Sequence, residues 1–584
     1  MIAKLREIYS LLSRAEKRRL WLLLCLMLLA TLIEVVGVGS VFPLLQLLSA
    51  PERFAQGPVA VRLQALGLTS VREITLLLIG VFAGFLVLSN LLSVLVLSES
   101  SRFAWNNWRN VAIRAFRHYL QRPYGFFLGR NSADLTKVVI QDSEFLGYGV
   151  LLPLLQITAK LLVIAALGVT LLAIEPVATL LLLVLFSAAY GAFSLYSHHK
   201  VRAVAAASQS GRTRATRVAA EAFRGIKDLK IFDRSDFFVR QFARETAPVP
   251  NAERSMFLLG SAPRYYLEAV TIALVLGALA TAVLLQLDLA AWLPSVGLFV
   301  VAGYRMLPLF SQGYLNLNTL LARLVMADTM LADLRAHGES APAPERPAGA
   351  AGPVRIALED VSFTYAGTAA PALRKVSLVL EPGQKIGLLG RSGGGKSTLI
   401  DVLLTLLEPQ SGGIRMGAAP IDRSNAHRLR SRIGYVPQSI FLLDRSILAN
   451  IAFGVDEEDA DLPAVVKAAA QADIHAFIAS LELGYRTLVG EQGVRLSGGQ
   501  RQRLGIARAL YGDPPVIVFD EATSALDAET EAAVMAAIDR LEGKTVVIAA
   551  HRLSALRRCD AVYEVRDGRL IHLGRGDALD RGAA

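Results

Sequence analysis

The sequence predicts an all-α six-helix transmembrane domain followed by an α/β P-loop nucleotide-binding domain. Three observations predict it. Hydrophobic residues make up 53% of the 584 residues, and they are concentrated before residue 325. The segment 337–353 is rich in Pro, Ala and Gly, which cannot build a packed element, so it is expected to be a linker. A glycine loop follows this linker. The expected boundaries are therefore 1–336 for the membrane domain and 354–584 for the nucleotide domain.

Six apolar stretches approach or exceed the ~20 residues that a helix needs to cross a ~30 Å hydrocarbon core. They lie near 20–49, 74–98, 150–174, 176–197, 256–287 and 289–312. Only Ile174-Glu175-Pro176 separates the third stretch from the fourth, which predicts a tight hairpin. The mean hydropathy of +0.44 is also too high for an ordinary soluble pair of domains.

Basic residues predict the orientation in the membrane. Lys and Arg are frequent in the N-terminal tail and in the segments 101–148 and 199–254, whereas the short loops carry mainly Glu175 and Asp288. The positive-inside rule then places both termini and the nucleotide domain in the cytoplasm. The first apolar run is long and lacks a convincing cleavage site, so it is interpreted as a retained span.

The formal net charge of +11 does not indicate a nucleic-acid partner. The charges flank the spans, where they set topology and meet anionic lipid headgroups, and no nucleic-acid-binding module accompanies them. The two cysteines, Cys25 and Cys559, fall in the first span and the cytosolic domain. That topology argues against a disulfide between them, and neither has neighbours suited to a metal site.

A phosphate-binding loop runs from Gly390 to Ser397, between an apolar strand pattern and an apolar helix pattern. Glycines let successive backbone N–H groups surround phosphates at a positive helix terminus. Lys396 adds a point charge, and Ser397 offers a hydroxyl to Mg²⁺. Read alone, the pattern has the alternative of a chance glycine turn; the two motifs that follow exclude it.

Two further motifs lie downstream. The apolar run from Pro515 ends in Asp520 and Glu521, as a buried parallel strand would at its C-terminal edge. Asp520 suits Mg²⁺, and Glu521 suits polarising the water that attacks the γ-phosphate. The segment Leu496-Ser-Gly-Gly-Gln500 precedes a predicted helix and forms a second anion-binding element.

From Val354 to the C-terminus these motifs resemble the nucleotide-binding domain of ABC transporters. The resemblance implies ATP and Mg²⁺ as cofactors, Glu521, His551 and Gln438 as catalytic residues, and Ser397, Gln438 and Asp520 as Mg²⁺ ligands. Glu491 resembles an element that contacts the membrane domain. The implied nucleotide-binding residues are Tyr365, Gly390, Arg391, Ser392, Gly393, Gly394, Gly395, Lys396, Ser397, Thr398, Ser497, Gly498, Gly499, Gln500 and Asp527.

One membrane half and one nucleotide domain predict a homodimer, because an exporter of this architecture needs two of each. The resemblance implies composite ATP sites, with Leu496–Gln500 contributed by the second subunit. It also implies short coupling helices in the two long cytoplasmic connections, for which Ser132–Asp134 and Arg224–Lys230 are the candidates. A solvated helix turn remains the alternative for each. A heterodimeric partner also stays open.

Ionisable residues inside the predicted spans are the clue to the substrate, since a charge at bilayer depth needs a cavity or a partner. Glu34, Arg264, Glu268 and Arg305 are such residues. Arginines suit phosphate groups, which they bind in bidentate fashion. We therefore expect Arg264, Arg305 and Glu34 to contact substrate. The alternative for Arg264 is mutual neutralisation with Glu268, or a snorkelling position near the helix end.

The residues around Glu34, Arg264 and Arg305 resemble bacterial flippases of lipid-linked oligosaccharides, which turn polyprenyl-pyrophosphate glycans outward for protein glycosylation. The resemblance implies a bacterial inner-membrane location and an external helix, for which Glu52–Gly67 is the candidate. The runner-up is an exporter of another amphipath: a lipid A precursor, a hydrophobic drug or a peptide. An ATP-gated channel is disfavoured, because Glu521 and Leu496–Gln500 look competent for hydrolysis.

Overall fold

The computed structural model describes residues 6–7, 9–10, 12–49, 51–65, 70–174, 176–284, 289–335, 352–391, 393–522 and 528–580. Within these ranges the side chains at some helical positions, many of them in 176–214, are outside the description. The chain divides into two compact units: Met1–Gln121 with Asn131–Ser340, and Arg122–Arg130 with Ala341–Ala584. The expected boundaries agree with this division except that 122–130 groups with the second unit. Most of the predicted linker lies outside the described residues.

The first unit is helical. Its opening helix begins at a capping box, in which the Ser13 hydroxyl accepts from Glu16 N and the Glu16 carboxylate accepts from Ser13 N. The helices are α1 Arg14–Gly39, α2 Val41–Ser49, α3 Pro51–Ala55, α4 Pro58–Ala65, α5 Val71–Leu120, α6 Gly125–Leu128, α7 Ser132–Lys137, α8 Leu152–Ile174, α9 Pro176–Arg224, α10 Ile226–Ile231, α11 Ser235–Thr246, α12 Pro248–Leu284 and α13 Leu289–Arg335. Two π-helical segments, Val138–Asp142 and Phe145–Leu151, join α7 to α8.

Three helical stretches of the described residues are long and apolar enough to cross a membrane: Arg14–Ser49, Val71–Leu120 and Asp134–Ile174. They contain the first three predicted spans. The other three predicted spans fall in α9, α12 and α13, where many side chains are not described, so the count of six remains a prediction. Helix α5 has 50 residues and is therefore about 75 Å long, which carries it well beyond a bilayer core.

The predicted external helix Glu52–Gly67 is interrupted. The structure has two short helices here, α3 and α4, separated by Gln56-Gly57, and residues 66–69 lie outside the description. Phe54 and Ala60 are buried in a small cluster with α2 and α5, whereas Val59 and Val61 are exposed. The single amphipathic helix was wrong because Gly57-Pro58 breaks the helical hydrogen bonding.

The second unit contains two sheets. A four-stranded antiparallel sheet has the order β2-β1-β4-β5, and a six-stranded sheet has the order β10-β9-β3-β8-β7-β6. Strands β9, β3, β8, β7 and β6 are parallel, and β10 is antiparallel to β9. The strands are β1 Ile356–Phe363, β2 Leu373–Leu380, β3 Lys385–Leu389, β4 Ser411–Met416, β5 Ala419–Ile421, β6 Ile433–Val436, β7 Val516–Asp520, β8 Thr545–Ala550, β9 Ala561–Arg566 and β10 Arg569–Gly574.

The helices of the second unit cover these sheets. They are α14 Lys396–Leu403, α15 Ala426–Arg430, α16 Ile447–Ile451, α17 Leu462–Gln471, α18 His475–Ser480, α19 Gly498–Leu510, α20 Ala528–Asp539 and α21 Gly576–Asp580. All residues of β7 and β8 are buried, as the near-continuous apolar runs predict for central parallel strands. The carboxyl ends of β3, β7 and β8 are adjacent, and that edge positions the candidate site.

Candidate functional site

The predicted phosphate loop connects β3 to α14, as the sequence predicts. Gly395 has φ 108°, and a Cβ there would lie 2.7 Å from the carbonyl oxygen of Ala372. A Cβ at Gly390 would lie 2.6 Å from the carbonyl oxygen of Val565. Both positions therefore require glycine, one for its backbone angle and both for the close approach of another chain segment. Of the predicted loop residues, Ser392 lies outside the description.

Lys396 is buried and turns back toward its own loop. Its Nζ donates to the carbonyl oxygen of Gly390 at 2.5 Å and lies 3.3 Å from Glu521 Oε1. The loop lysine and the carboxylate at the end of β7 are thus one cluster. The sequence predicts both residues separately, and the fold brings them together.

Glu521 is the centre of this cluster. Gln438 Nε2 donates to Glu521 Oε2 at 2.9 Å, and His551 Nε2 lies 2.6 Å from Glu521 Oε1. His551 Nδ1 lies 3.4 Å from Lys396 Nζ, so an imidazole protonated on Nε2 donates to the carboxylate and accepts from the lysine. The three predicted catalytic residues therefore share one hydrogen-bonded network.

The backbone also fixes Glu521. Its φ is 50°, in the left-handed region that non-glycine residues rarely adopt. Its N–H donates to the carbonyl oxygen of Ala549 at 3.1 Å, which continues the pairing of β7 with β8 one residue past the strand. This bond holds the carboxylate at the sheet edge, and strained backbone of this kind is common at active sites.

The residues predicted to bind Mg²⁺ fit a hard cation that prefers oxygen ligands. Asp520 ends β7 and offers a carboxylate, and Ser397 is an exposed hydroxyl in the first turn of α14. Gln438 donates through Nε2, which leaves its amide oxygen available. Among the described residues no group of three His, Cys, Asp or Glu could hold a metal, which agrees with a cation that takes one carboxylate and completes its shell with water and phosphate.

Acidic groups near Asp520 support this fit. Burial and the negative charge of Asp520 raise the pKa of Asp401 to about 6. Burial, followed by the charge of Glu521, raises the pKa of Asp520 itself. The Tyr435 hydroxyl donates to Asp520 Oδ2 at 3.4 Å, and burial together with Asp520 raises the pKa of that phenol. A divalent cation would relieve this repulsion. Sequence reasoning missed Asp401, whose only signal is its place one turn after the loop.

Other predicted nucleotide residues lie nearby. The Tyr365 hydroxyl is 3.1 Å from Thr398 Oγ1, and the Tyr365 ring packs edge-on against Phe363 with centroids 5.0 Å apart. The predicted platform thus joins the start of α14, while its stacking on a base stays a prediction. Asp527 lies outside the described residues. Glu491 lies in an exposed 3₁₀ turn, and its predicted contact stays untested.

Ser497 begins α19 as a helix cap. Its hydroxyl accepts from Gln500 N at 3.2 Å, and Gln500 Oε1 accepts from Ser497 N at 2.9 Å. The recorded bonds of Ser497 and Gln500 are with each other, and none joins them to Lys396 or Glu521. The second anion-binding element therefore forms as predicted, separately from the phosphate loop of the same chain.

In the membrane unit the predicted substrate residues separate into two groups. Arg305 Nη1 lies 3.9 Å from Glu34 Oε1 and donates to Asn90 Oδ1 at 3.4 Å. The two mid-depth charges are therefore partners of each other. Arg264 and Glu268 are both exposed, and within the described part of the chain they form no ion pair with each other. Their suggested mutual neutralisation is not found.

Sequence reasoning also missed Lys160, which lies inside the third span. Its Nζ donates to Gln312 Oε1 at 2.6 Å. The signal was available, since a lysine within the apolar run 150–174 is as unusual as an arginine there. One turn earlier on the same helix, Gln156 Oε1 accepts from Asn316 Nδ2 at 2.9 Å.

Two family models match the chain. The ABC transporter model matches residues 373–524, and the ABC transporter transmembrane region matches residues 59–300. A solved structure described as a bacterial Atm1-family ABC exporter with ATP bound has a TM-score of 0.74, with 24% identity over 98% of this chain and 97% of that chain. At that identity the likeness establishes the fold alone.

Curated relatives match over shorter stretches. An ATP-dependent lipid A-core flippase of Saccharophagus degradans is 44% identical over 226 residues, 38% of each chain. A flippase of the same name from Burkholderia orbicola is 41% identical over 244 residues, 41% of each chain. The leukotoxin translocation ATP-binding protein LktB of Mannheimia glucosida is 41% identical over 225 residues, 38% of this chain and 32% of the relative. The chain thus spans about two fifths of the length of the curated relatives it matches.

Proposed function

Because this chain is an ABC transporter half-molecule of the exporter type, with a transmembrane region ahead of one ATP-binding domain, we propose that it is an ATP-driven exporter. It works as a homodimer in a bacterial inner membrane, with the ATPase domain in the cytoplasm. It moves an amphipathic lipid with an anionic headgroup, of the lipid A type, from the cytoplasmic to the outer leaflet.

The observation that carries the ATPase activity is the convergence of Lys396, Gln438 and His551 on Glu521. The carboxylate of Glu521 accepts the proton of the attacking water, and Gln438 orients that water beside it. The γ-phosphate draws Lys396 Nζ away from Glu521, since both anions compete for the same ammonium group. Removal of that counter-charge makes Glu521 a stronger base only when nucleotide is bound. Mg²⁺, held by Asp520, Ser397 and Gln438, supplies positive charge to the phosphate oxygens.

The homodimer follows from the separation of the two anion-binding elements. Ser497–Gln500 cap their own helix and make no recorded bond to the phosphate loop of the same chain. A second copy brings its own α19 to the γ-phosphate, so that ATP is bound between two subunits. Closure on ATP and reopening after hydrolysis then move the membrane helices, with Ser132–Asp134 and Arg224–Lys230 as the coupling segments. Both candidates fall at helix breaks, in α7 and at the α9–α10 junction.

The substrate class rests on the relatives and on the membrane charges. Two of the relatives above are named as lipid A-core flippases, which favours the lipid A alternative over the lipid-linked oligosaccharide prediction. The pairing of Arg305 with Glu34 weakens the pyrophosphate argument further, because that guanidinium already has a carboxylate partner. A role in protein glycosylation has no support in these relatives.

The test is transport in proteoliposomes that contain the wild-type homodimer. We expect ATP-dependent outward movement of lipid A, and none with Glu521→Gln. A polyprenyl-pyrophosphate glycan and an uncharged hydrophobic drug are the comparison substrates, and each should move at least tenfold more slowly. ATP hydrolysis without lipid A movement would overturn the substrate and leave the exporter. Faster movement of the glycan would restore the sequence-based prediction.

A further inference from the structure

Helices α8 and α13 pack antiparallel, and the character of their interface changes along its length. In one half, Val163, Leu167 and Leu171 of α8 share an apolar cluster with Leu298, Ala302 and Met306 of α13. In the other half the contacts are polar: Lys160 with Gln312 and Gln156 with Asn316. The boundary between the two halves falls within one helical turn. Polar side chains thus meet inside a helix pair that is otherwise hydrocarbon.

The polar residues of α13 share one face. Arg305, Gln312 and Asn316 are spaced by seven and then four residues, which returns to the same side of a helix. Each has a partner from another helix, so the polar contacts form a continuous stripe. We call it the α13 stripe, and its members are Glu34, Gln156, Lys160, Arg305, Gln312 and Asn316.

The charges of the α13 stripe do not balance. Glu34 and Arg305 compensate each other at 3.9 Å, which leaves Lys160. The recorded partner of Lys160 is the neutral Gln312, and no carboxylate of the described residues lies within ion-pair distance of it. An ammonium group has three N–H donors, so two remain for another acceptor. The stripe therefore carries one positive charge without a counter-ion in this chain.

Depth makes that charge significant. Lys160 is eight residues into α8, which begins at Leu152, so its Cα lies about 12 Å along the helix from that end. A snorkelling lysine extends its amine toward the headgroups, but the Nζ of Lys160 is bonded to Gln312 on the neighbouring helix. The side chain is half-buried. Burial of an unpaired cation is unfavourable unless an anion completes the site.

We propose that Lys160 is the anion-binding residue of the transport pathway, and that it binds a phosphate or carboxylate oxygen of an amphipathic substrate while Gln312 holds its amine in place. This site deepens the proposed function and rests on it in taking an amphipath as the substrate. Arg305, by contrast, keeps its partner Glu34 and has a structural role. The apolar cluster above Lys160 suits the hydrocarbon part of the same molecule.

The test measures binding to the purified homodimer by native mass spectrometry in a neutral detergent. The probes are hexadecyl phosphate and hexadecanol, which differ in the headgroup alone. We expect wild type to prefer the phosphate, and Lys160→Gln to weaken phosphate binding about tenfold. Lys160→Arg keeps the charge and should stay within about threefold of wild type. Thr158→Val, on the same helix, is the matched control, because the Thr158 hydroxyl donates to its own helix at Leu154.

The outcomes separate this site from the transport function. Equal binding of the two probes by wild type, or equal affinities in Lys160→Gln and Thr158→Val, overturns the site. The first comparison decides even if Lys160→Gln does not fold. Displacement of hexadecyl phosphate by inorganic phosphate indicates a free anion as ligand, which also overturns it. If lipid A is not moved but phosphate binding depends on Lys160, the lipid A assignment fails and the site stands. If lipid A moves equally in wild type and Lys160→Gln, the site fails and the transporter stands.

Discussion

The two units of this chain arrange their charged groups in opposite ways. In the nucleotide-binding unit, like charges are gathered at one sheet edge: Asp401, Asp520 and Glu521 lie close enough that the pKa of Asp401 rises to about 6. In the membrane unit, charges are distributed singly and are each given a partner, as Glu34 is given Arg305. The first arrangement needs a cationic ligand, whereas the second stabilises the protein without one. Lys160 is the exception that resembles the first arrangement.

The difference follows from the solvent of each unit. Water and Mg²⁺ reach the cytoplasmic sheet edge, so repulsion between carboxylates there is moderate and is removed on binding. Hydrocarbon offers no such relief, and an unpaired charge at bilayer depth is far less tolerable. Three predictions test this comparison, beginning with the largest effect.

Glu521→Gln should lower ATP turnover by about 10²- to 10⁴-fold, the usual contribution of a positioned general base. Nucleotide binding should remain, because Lys396 and the loop glycines are unchanged. Phosphate release and the binding of a fluorescent ATP analogue measure the two properties. Gln438→Glu is the comparison variant, since it adds a carboxylate beside Glu521 and should weaken nucleotide binding. Hydrolysis near the wild-type rate in Glu521→Gln would remove Glu521 as the base.

Glu34→Gln and Arg305→Gln should each destabilise the protein, since each leaves one charge without its partner at 3.9 Å. The double variant should be less destabilised than the sum of the two, with a coupling free energy of about 1 kcal/mol. Unfolding of the full-length homodimer in detergent measures this double-mutant cycle. Strictly additive effects would contradict the pair. Asn90→Leu should have a smaller effect, because Asn90 contributes one hydrogen bond at 3.4 Å.

Asp401→Asn should stabilise the nucleotide-free protein near pH 7.5 by on the order of 1 kcal/mol. The folded state holds the Asp401 proton up to about pH 6, whereas the unfolded state releases it near 3.8. Wild-type stability therefore falls as pH rises through this window, and the variant escapes that loss. The gain should disappear below pH 4. Unfolding midpoints of both proteins across pH 4–8 are the measurement. A gain that is independent of pH would contradict the assignment of charge repulsion.

The sequence predicts the nucleotide unit well because its chemistry is encoded in contiguous motifs. Gly390–Lys396, Asp520 and Glu521 are each next to a strand whose apolar pattern is unmistakable, and parallel strands bring their ends together. The membrane unit is less predictable, because its partners lie on different helices. Nothing local indicates that Arg305 meets Glu34, or that Lys160 meets Gln312. The helix Glu52–Gly67 was misjudged for a local reason, since Gly57-Pro58 interrupts it.

Ser497 combines two tasks in one atom. Its hydroxyl oxygen already accepts the N–H of Gln500 to start α19, so the proton of that hydroxyl points outward and is the part left for a nucleotide. Natural selection for a folded helix and selection for catalysis therefore act on the same side chain. Threonine could satisfy both, aspartate only the first, and alanine neither. Over evolutionary time such a position drifts far more slowly than its surface exposure would suggest.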